Sequence, residues 1–557
     1  MAEKQVDSKE VGLVEAPTVE AEETLDAEEV KYGHTKRGLT SRHVQLMAIG
    51  GSIGTGLFVG IGGALSEGGP LSLLLAFIIY PFLFVIPTTL CVGELSTFLP
   101  MRRGIFEMAN RYVDPAFGMA FGYAYFYSAA VLVCTEASAV VSVMGYWGIP
   151  VNGAVWVLMA MVIIIAINVF AVKYYGEAEF IFSILKVLLV VGLALLTFIT
   201  MVGGNPKHDA YGFRNWKHGN AMHEYYTTGT TGRFLGFFIA VRYAAFSLGG
   251  PDMIALAAGE IENPRKTIPR MARLIWVRVA GFYLLGVLAV GIICNSRDPR
   301  LLSALSRGST GSAASPFVIG IKNLGIKGLD SLVNFVILTS GWSCGNAYFY
   351  TSTRTLYQLS IDGQAPKFLR KCTKKGVPIY AVIVVALISC LTFMVASNSS
   401  STVFSWFVGL STCATLITYS MMMIVWVGFY KSLQAQGISR DTLPWKAPFM
   451  PYHAYIGIGT GITLILFLGF DYFVPWNTQG FITTYFGIPY VVVLFVVWKV
   501  IKRTKPAKWS EVNIYEGKDQ IDRECEYWET VAANADVQKK QSAFKRTWGK
   551  MWDSAVV

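Results

Sequence analysis

Four glycines fall within seven residues at Gly50-Gly51-Ser52-Ile53-Gly54-Thr55-Gly56, inside the first long apolar segment of the chain. Glycine in a helix interior costs about 1 kcal/mol relative to alanine, so this stretch is expected to unwind. A second interruption reads Phe246-Ser247-Leu248-Gly249-Gly250-Pro251-Asp252. There Pro251 removes a backbone donor and obstructs the preceding turn, while Gly249 and Gly250 free the chain to leave the helix. Unwound backbone exposes N–H and C=O groups, which membrane depth tolerates only where they line a cavity and find partners. A zwitterion supplies such partners. Its carboxylate suits the N–H groups at Gly54, Thr55 and Gly56, where a helix begins and its dipole favours an anion. Its ammonium suits carbonyls released near Ile49, Ser52, Phe246 and Ser247. Ile53, Gly249, Gly250 and Asp252 complete the candidate binding stretch, Asp252 being costly if it faced lipid. The competing use of such glycines is close helix packing, since Gly50/Gly54 and Gly56/Gly60 have the small-xxx-small spacing. Two breaks at corresponding positions favour the binding reading.

Ionisable groups inside apolar segments are functional candidates by default. Lys186 is the proton-coupling candidate, because desolvation and cavity opening can move its protonation between states. Its structural alternative is snorkelling towards the membrane surface. Glu136 is a second candidate, for a substrate amine or for the proton, with a structural hydrogen bond to a neighbouring helix as the alternative. Arg242 could pair with Glu136, meet an acidic substrate or snorkel outward. Glu94 reads as a structural or gate residue. Thr135, Ser138, Ser343 and Asn346 could line a pocket, although bonding between helices is the commoner use of such side chains.

The elements that must position these groups are helices in a bilayer. The chain has 557 residues, 53% hydrophobic and 15% charged, against about 25% charged in a soluble domain. Apolar runs of spanning length must be helical, because lipid offers open backbone no partners. Twelve segments are predicted, at roughly 44–65, 71–99, 116–147, 153–172, 178–202, 234–258, 271–296, 330–360, 378–396, 400–430, 452–470 and 482–503. The two breaks lie in segments 1 and 6, five apart, so an odd-numbered repeat would be inverted on duplication. The predicted organisation is a tail (1–43), a first inverted repeat (44–202), an extracellular loop (203–233), a second repeat (234–430), two further spans (431–503) and a second tail (504–557). Arg102, Arg103, Arg111, Arg265, Lys266, Arg270, Arg273, Lys367, Arg370, Lys371, Lys374 and Lys375 fall in short loops on the side of both tails. The positive-inside rule makes that side cytoplasmic.

The net charge of +11 invites a nucleic-acid reading, which the juxtamembrane placement of the basic residues argues against. No signal peptide is expected in the polar, acidic residues 1–30. The eight cysteines have neither a disulfide framework nor a metal-site spacing, so no metal and no cofactor is expected. No phosphate-binding Gly-x-x-x-x-Gly-Lys-Ser/Thr loop is present, against ATP-driven transport. Asn398-Ser399-Ser400 matches a glycosylation triplet.

Several longer stretches resemble one family. They are Lys36-Arg37-Gly38-Leu39 with Ser41-Arg42-His43, Gly50 to Gly60, and Arg111-Tyr112-Val113-Asp114-Pro115. Further on come Ala258-Gly259-Glu260-Ile261-Glu262-Asn263-Pro264-Arg265-Lys266, Ser352-Thr353-Arg354-Thr355-Leu356-Tyr357 and Gly363-Gln364-Ala365-Pro366-Lys367. Together they resemble fungal amino acid permeases of the amino acid–polyamine–organocation superfamily, over roughly residues 35–505. The resemblance implies an all-α, LeuT-like five-plus-five fold with segments 1 and 6 broken around the substrate. It also implies alternating access, proton-coupled uptake at the plasma membrane, and a lysine in segment 5 where sodium-coupled relatives hold a cation. Many relatives read Gly-Thr-Glu where this chain has Gly250-Pro251-Asp252, a departure bearing on substrate preference. By analogy with related tails, Lys4 and Lys9 are candidate modification sites through which ubiquitin-ligase adaptors would act.

The reading is a membrane transporter, not an enzyme and with no catalytic residues. Its partners would be an L-amino acid, protons and the lipid bilayer. A neutral side chain, proline included, is expected because apolar residues flank the breaks, while Asp252 and Glu136 leave cationic substrates open. The alternatives are an exchanger, a carrier of a polyamine or 4-aminobutyrate, and a non-transporting nutrient receptor on the same fold.

Overall fold

The computed structural model describes residues 53–530 except 102–103, 170–171, 218, 259–260, 262, 307–314, 374–375, 520, 524 and 528. Ile49, Ser52, the tail at 1–43 and residues 531–557 lie outside the described residues.

Regular structure among the described residues is helical, apart from one isolated bridge between Cys372 and Pro378. The first helices are α1 Ile61–Tyr80, α2 Ile86–Phe98, α3 Gly104–Tyr112, α4 Pro115–Met144, α5 Gly153–Val169 and α6 Val172–Met201. Then come α7 Gly229–Ser247, α8 Pro251–Ala257, α9 Pro264–Arg278, α10 Leu285–Ile293, α11 Pro299–Ser306 and α12 Pro316–Leu324. The last six are α13 Leu329–Ile361, α14 Ile379–Ser389, α15 Ser400–Ala435, α16 Tyr452–Phe467, α17 Thr478–Tyr485 and α18 Gly487–Lys502.

Among the described residues, eight helical stretches are long and apolar enough to cross a membrane, or nine with the bent pair α17–α18. Twelve were expected, and the difference has physical causes. The first two expected segments run as one helical stretch, Gly56–Phe98. It bends at Gly69, whose φ of +83° suits glycine and which Pro70 follows. α5 has only 17 residues. α13 is long, with 33 residues, but its polar row of Ser, Thr and Asn side chains lowers its hydropathy.

α4 lies at the centre, packed most extensively against α13 and α15, while α1 lies along α7. Asp114 starts α4 by accepting the Ala116 N–H at 2.7 Å, with Pro115 in the first turn. α6 has two faces. Ile181, Ile184, Leu188, Val191, Leu195 and Phe198 are exposed, whereas Glu179, Ser183, Lys186, Val190, Leu193 and Thr197 are buried. The alternating steps of three and four define two opposite stripes of one helix. The exposed stripe is apolar and suits lipid; the buried one carries Glu179 and Lys186. Lys186, 1% exposed, therefore faces protein and does not snorkel.

The C-terminal segment departs from expectation. The sequence shows no packed-core pattern after residue 503, yet the chain folds back under the bundle. The Ala507 N–H donates to Val113 O, Thr504 Oγ1 to Asp114, and the Trp509 indole to Tyr112 O. Ile514, Ile521 and Cys525 are buried. Three apolar residues spread over twelve positions are too sparse to register as a periodic pattern.

Asp114 joins this segment to α4 and α18 through Thr504, Lys499 and the Ala116 N–H. Burial alone would raise its carboxyl, but Lys499, Thr504 and the Ala116 N–H outweigh it and hold the group below its ordinary value. A depressed carboxyl stabilises the fold above its unfolded value of about 4, and that contribution is lost as pH falls through the folded value. Asp114→Ala should lower stability by about 1 kcal/mol for the lost cap. Thermal unfolding at neutral pH would show it, with faster proteolysis near residue 507. Below pH 4 the wild type should lose its margin over the variant.

Candidate substrate site

The first break is held by a carboxylate from α4. The Thr55 N–H donates to Glu136 Oε1 at 3.4 Å and Oε2 at 3.3 Å, and Thr55 Oγ1 donates to Oε2 at 2.9 Å. Thr55 is followed by a π-helical turn, Gly56–Gly60, that leads into α1. The N–H assigned from sequence to a substrate carboxylate thus already bonds a carboxylate of the protein. Glycine at 54 makes this approach feasible: a Cβ there would stand 2.0 Å from Glu136 Oε1 and 2.7 Å from Cys344 Sγ. The Cys344 thiol also hydrogen-bonds to Glu136. Ile53, fully buried, offers its carbonyl to Ser340 Oγ at 3.0 Å.

The second break lies against the first. A Cβ on Gly56 would meet Ser247 Oγ at 2.9 Å and Phe246 Cε1 at 3.1 Å. Phe246 stands edge-on to Phe404 of α15, with ring centroids 6.0 Å apart. The Ser247 carbonyl accepts Tyr283 Oη–H at 3.1 Å. Gly249 is buried in the break. Gly250 has φ +119°, a conformation that favours glycine, and a Cβ there would stand 2.1 Å from Arg278 Nη1. Its N–H donates to Asp252 Oδ1 and Tyr419 Oη at 3.1 and 3.0 Å. Asp252 accepts the Tyr419 hydroxyl at 2.7 Å and the Tyr125 hydroxyl at 3.0 Å. Its carboxylate therefore binds α15 and α4, which keeps a buried charge partnered.

Behind Glu136 lies Lys186, within electrostatic reach of Glu136 and of a second buried carboxylate, Glu179. Glu179 Oε1 accepts Ser343 Oγ–H at 2.8 Å, and Asn346 lies beside it. Asn346 Oδ1 in turn accepts Asn168 Nδ2–H at 2.6 Å. Ser343 and Asn346 thus serve this polar cluster. Thr135 and Ser138 instead bond backbone carbonyls of their own helix.

The sequence reading missed Glu179 and Arg278. Glu179 sat at the edge of a predicted segment, but it is seven residues before Lys186, two turns along one helix face. That spacing was the available signal. Arg278 lay inside the seventh predicted segment, and an arginine there was itself a signal. The pairing of Arg242 with Glu136 does not occur. Arg242 pairs with Asp471 at 3.0 Å and lies over the Tyr472 ring. Glu94 is structural: Arg440 grips both its oxygens at 3.1 and 2.7 Å, and the Ala447 N–H adds a third bond.

The family model for amino acid permeases matches residues 43–511. The chain belongs to the amino acid permease family. It is 41% identical to a proline-specific permease of Emericella nidulans, over 90% of this chain and 92% of that protein. It is 42% identical to a probable proline-specific permease of Schizosaccharomyces pombe, over 86% and 87% of the two chains. A dicarboxylic amino acid permease of Saccharomyces cerevisiae is 38% identical over 88% of this chain and 81% of its own. This permease is accordingly a multi-pass membrane transporter of amino acids and not an enzyme, as the sequence led us to expect.

The geometry gives two expected outcomes for the permease. Gly54→Val should abolish binding of substrate while folded protein still reaches the membrane, because the added methyls displace Glu136 and Cys344. Gly250→Ala should cost 1 kcal/mol or more, on the order expected for a non-glycine residue forced to positive φ. Ligand binding to purified protein and its thermal midpoint measure the two effects.

Proposed function

We propose that this permease imports a neutral L-amino acid, proline being the first candidate, together with one proton by alternating access. The observation that carries the reading is the Glu136 carboxylate on the Thr55 N–H and hydroxyl. A substrate carboxylate seeking the same N–H meets a like charge, which disfavours ionisation of both. Protonation of Glu136 removes the conflict and releases Thr55 to the substrate. Proton and amino acid then bind as partners. Once the inner side opens, water takes the proton from Glu136, which returns the carboxylate to its starting form beside the Lys186 and Glu179 charges.

A neutral cargo follows from how the charges near the breaks are engaged. Asp252 already accepts two tyrosine hydroxyls and an N–H. A cationic side chain would have to displace them. Arg242 is engaged with Asp471 and so is not offered to an acidic one. The two proline-specific relatives fit this reading. The fold proposed with it has twelve spans in a five-plus-five inverted repeat plus two, with the substrate's amino group held by carbonyls at Ile49, Ser52, Phe246 and Ser247. Both termini would be cytoplasmic at the plasma membrane, and the tails would receive ubiquitin-ligase adaptors.

Uptake of a labelled amino acid panel in transport-deficient cells tests the proposal. Proline uptake should exceed that of lysine and glutamate and collapse when a protonophore is added. Uptake insensitive to the protonophore would overturn proton coupling alone. No uptake, despite intact binding and signalling, would favour a receptor. Glu136→Gln, which fixes the neutral form, should make substrate binding independent of pH and abolish accumulation while exchange persists. Glu179→Gln should spare binding and slow net uptake more than exchange.

A further inference from the structure

On the side of the bundle that carries the C-terminal segment, α9 and the 436–451 connection enclose a cavity of about 610 Å³. Its lining includes Arg265, Lys266, Arg270 and Arg273 and no carboxylate. The far wall is Trp445, whose ring lies against Gly93 of α2, as does the Ala272 methyl of α9. Two of the four cations are answered from the C-terminal segment: Arg265 pairs with Asp522, and Lys266 lies 3.7 Å from Glu529. Arg273 Nε donates to Pro269 O at 3.2 Å. Among the described residues, no carboxylate pairs with Arg270 or with the guanidinium of Arg273.

Immediately beyond this charge, the same helix turns apolar on its outer face. Trp276 is 48% and Val277 53% exposed, and Leu285 continues the face one helix on at 46%. A free anion would use only the cations. An amphiphile with an anionic head and acyl chains would use both halves in the order in which they lie. Basic pockets between membrane helices suit such heads.

We propose that this cavity binds the head group of a net-negative phospholipid, its phosphate on Arg270 and Arg273 and an acyl chain along Trp276 and Val277. A zwitterionic choline head is disfavoured, because it brings a cation to a site that already has two unanswered ones. Asp522 and Glu529 stand in for lipid charge at Arg265 and Lys266, so the C-terminal segment closes one end of the site. Positive residues are common at membrane edges, but such a bias does not require a cavity walled by tryptophan. Another cavity, about 630 Å³, also has arginines, Arg233 and Arg297, but Glu224 lies among them. It is the natural control.

The test is native mass spectrometry of the full chain released from phosphatidylcholine nanodiscs with and without a minor fraction of phosphatidylserine. The wild type should retain phosphatidylserine in preference to phosphatidylcholine. Arg270→Gln with Arg273→Gln should lower that retention about thirtyfold, given about 1 kcal/mol for each basic residue near an anionic surface. Arg233→Gln with Arg297→Gln should leave it unchanged. Both arginines of the test pair are exposed, and elution as a single sharp species checks the fold. Equal retention by the Arg270/Arg273 variant, or no preference for phosphatidylserine, overturns the proposal. So does displacement of the bound lipid by inorganic phosphate alone, which would make the occupant a free anion. The readout is independent of transport, so its failure would leave the proposed cargo and coupling standing.

Discussion

A carboxylate deep in a helical bundle is tolerated only if its charge is met, and Glu136 is met by unwound backbone. Its oxygens take the N–H and the hydroxyl of Thr55, at the point where non-helical Ile53 and Gly54 give way to the turn Gly56–Gly60. The dependence runs both ways. The break needs an acceptor for its donor, and the carboxylate needs donors for its charge. Neither feature is stable without the other, and Gly54 is small because the two must touch. The position of α4 at the centre of the bundle follows, since it must reach Thr55 before α1 as well as α13 and α15.

The second break solves the same problem with different parts. Here the acidic group, Asp252, belongs to the broken helix, and the donors come from Tyr125 and Tyr419 on its neighbours. The two breaks therefore differ in what they can release. At the first, one proton on Glu136 would weaken the contact and free a backbone donor. At the second, two hydroxyls and an N–H hold the carboxylate, and losing one bond leaves the others. In the proposed coupling the first break is the one that switches and the second the one that stays. A site with one adjustable and one fixed wall can admit a ligand without dissolving its own framework.

Legibility followed local chemistry. The glycine runs and Pro251 marked both breaks, because backbone strain is written into residue type. The apolar segments were visible because spanning length is a property of continuous sequence. Partners were not visible. Thr55 and Glu136 are 81 residues apart, Arg242 and Asp471 229, and nothing local selects one partner over another. Arg242 was thus considered against Glu136, although its partner lies near the last two helices. Glu179 escaped for a different reason: a boundary was drawn beside it, and a charge at a boundary looks solvated. The C-terminal segment escaped because three buried apolar residues among many polar ones have no period.

The helices that follow α15 act as suppliers of counter-charge. Asp471, between α16 and α17, answers Arg242; Lys499 of α18 answers Asp114; and Arg440, just before α16, answers Glu94. Each acceptor or donor so answered belongs to the earlier part of the chain. Buried ion pairs add little net stability compared with apolar packing, but removal of one partner leaves the other uncompensated and costs several kcal/mol. The last helices are consequently not a detachable addition. Without them three charges of the core would be stranded, one of them on α7, the helix that leads into the second break. Whatever motion opens that break must either carry Asp471 along with Arg242 or part the pair, so the outermost helices set a limit on how far the break can move.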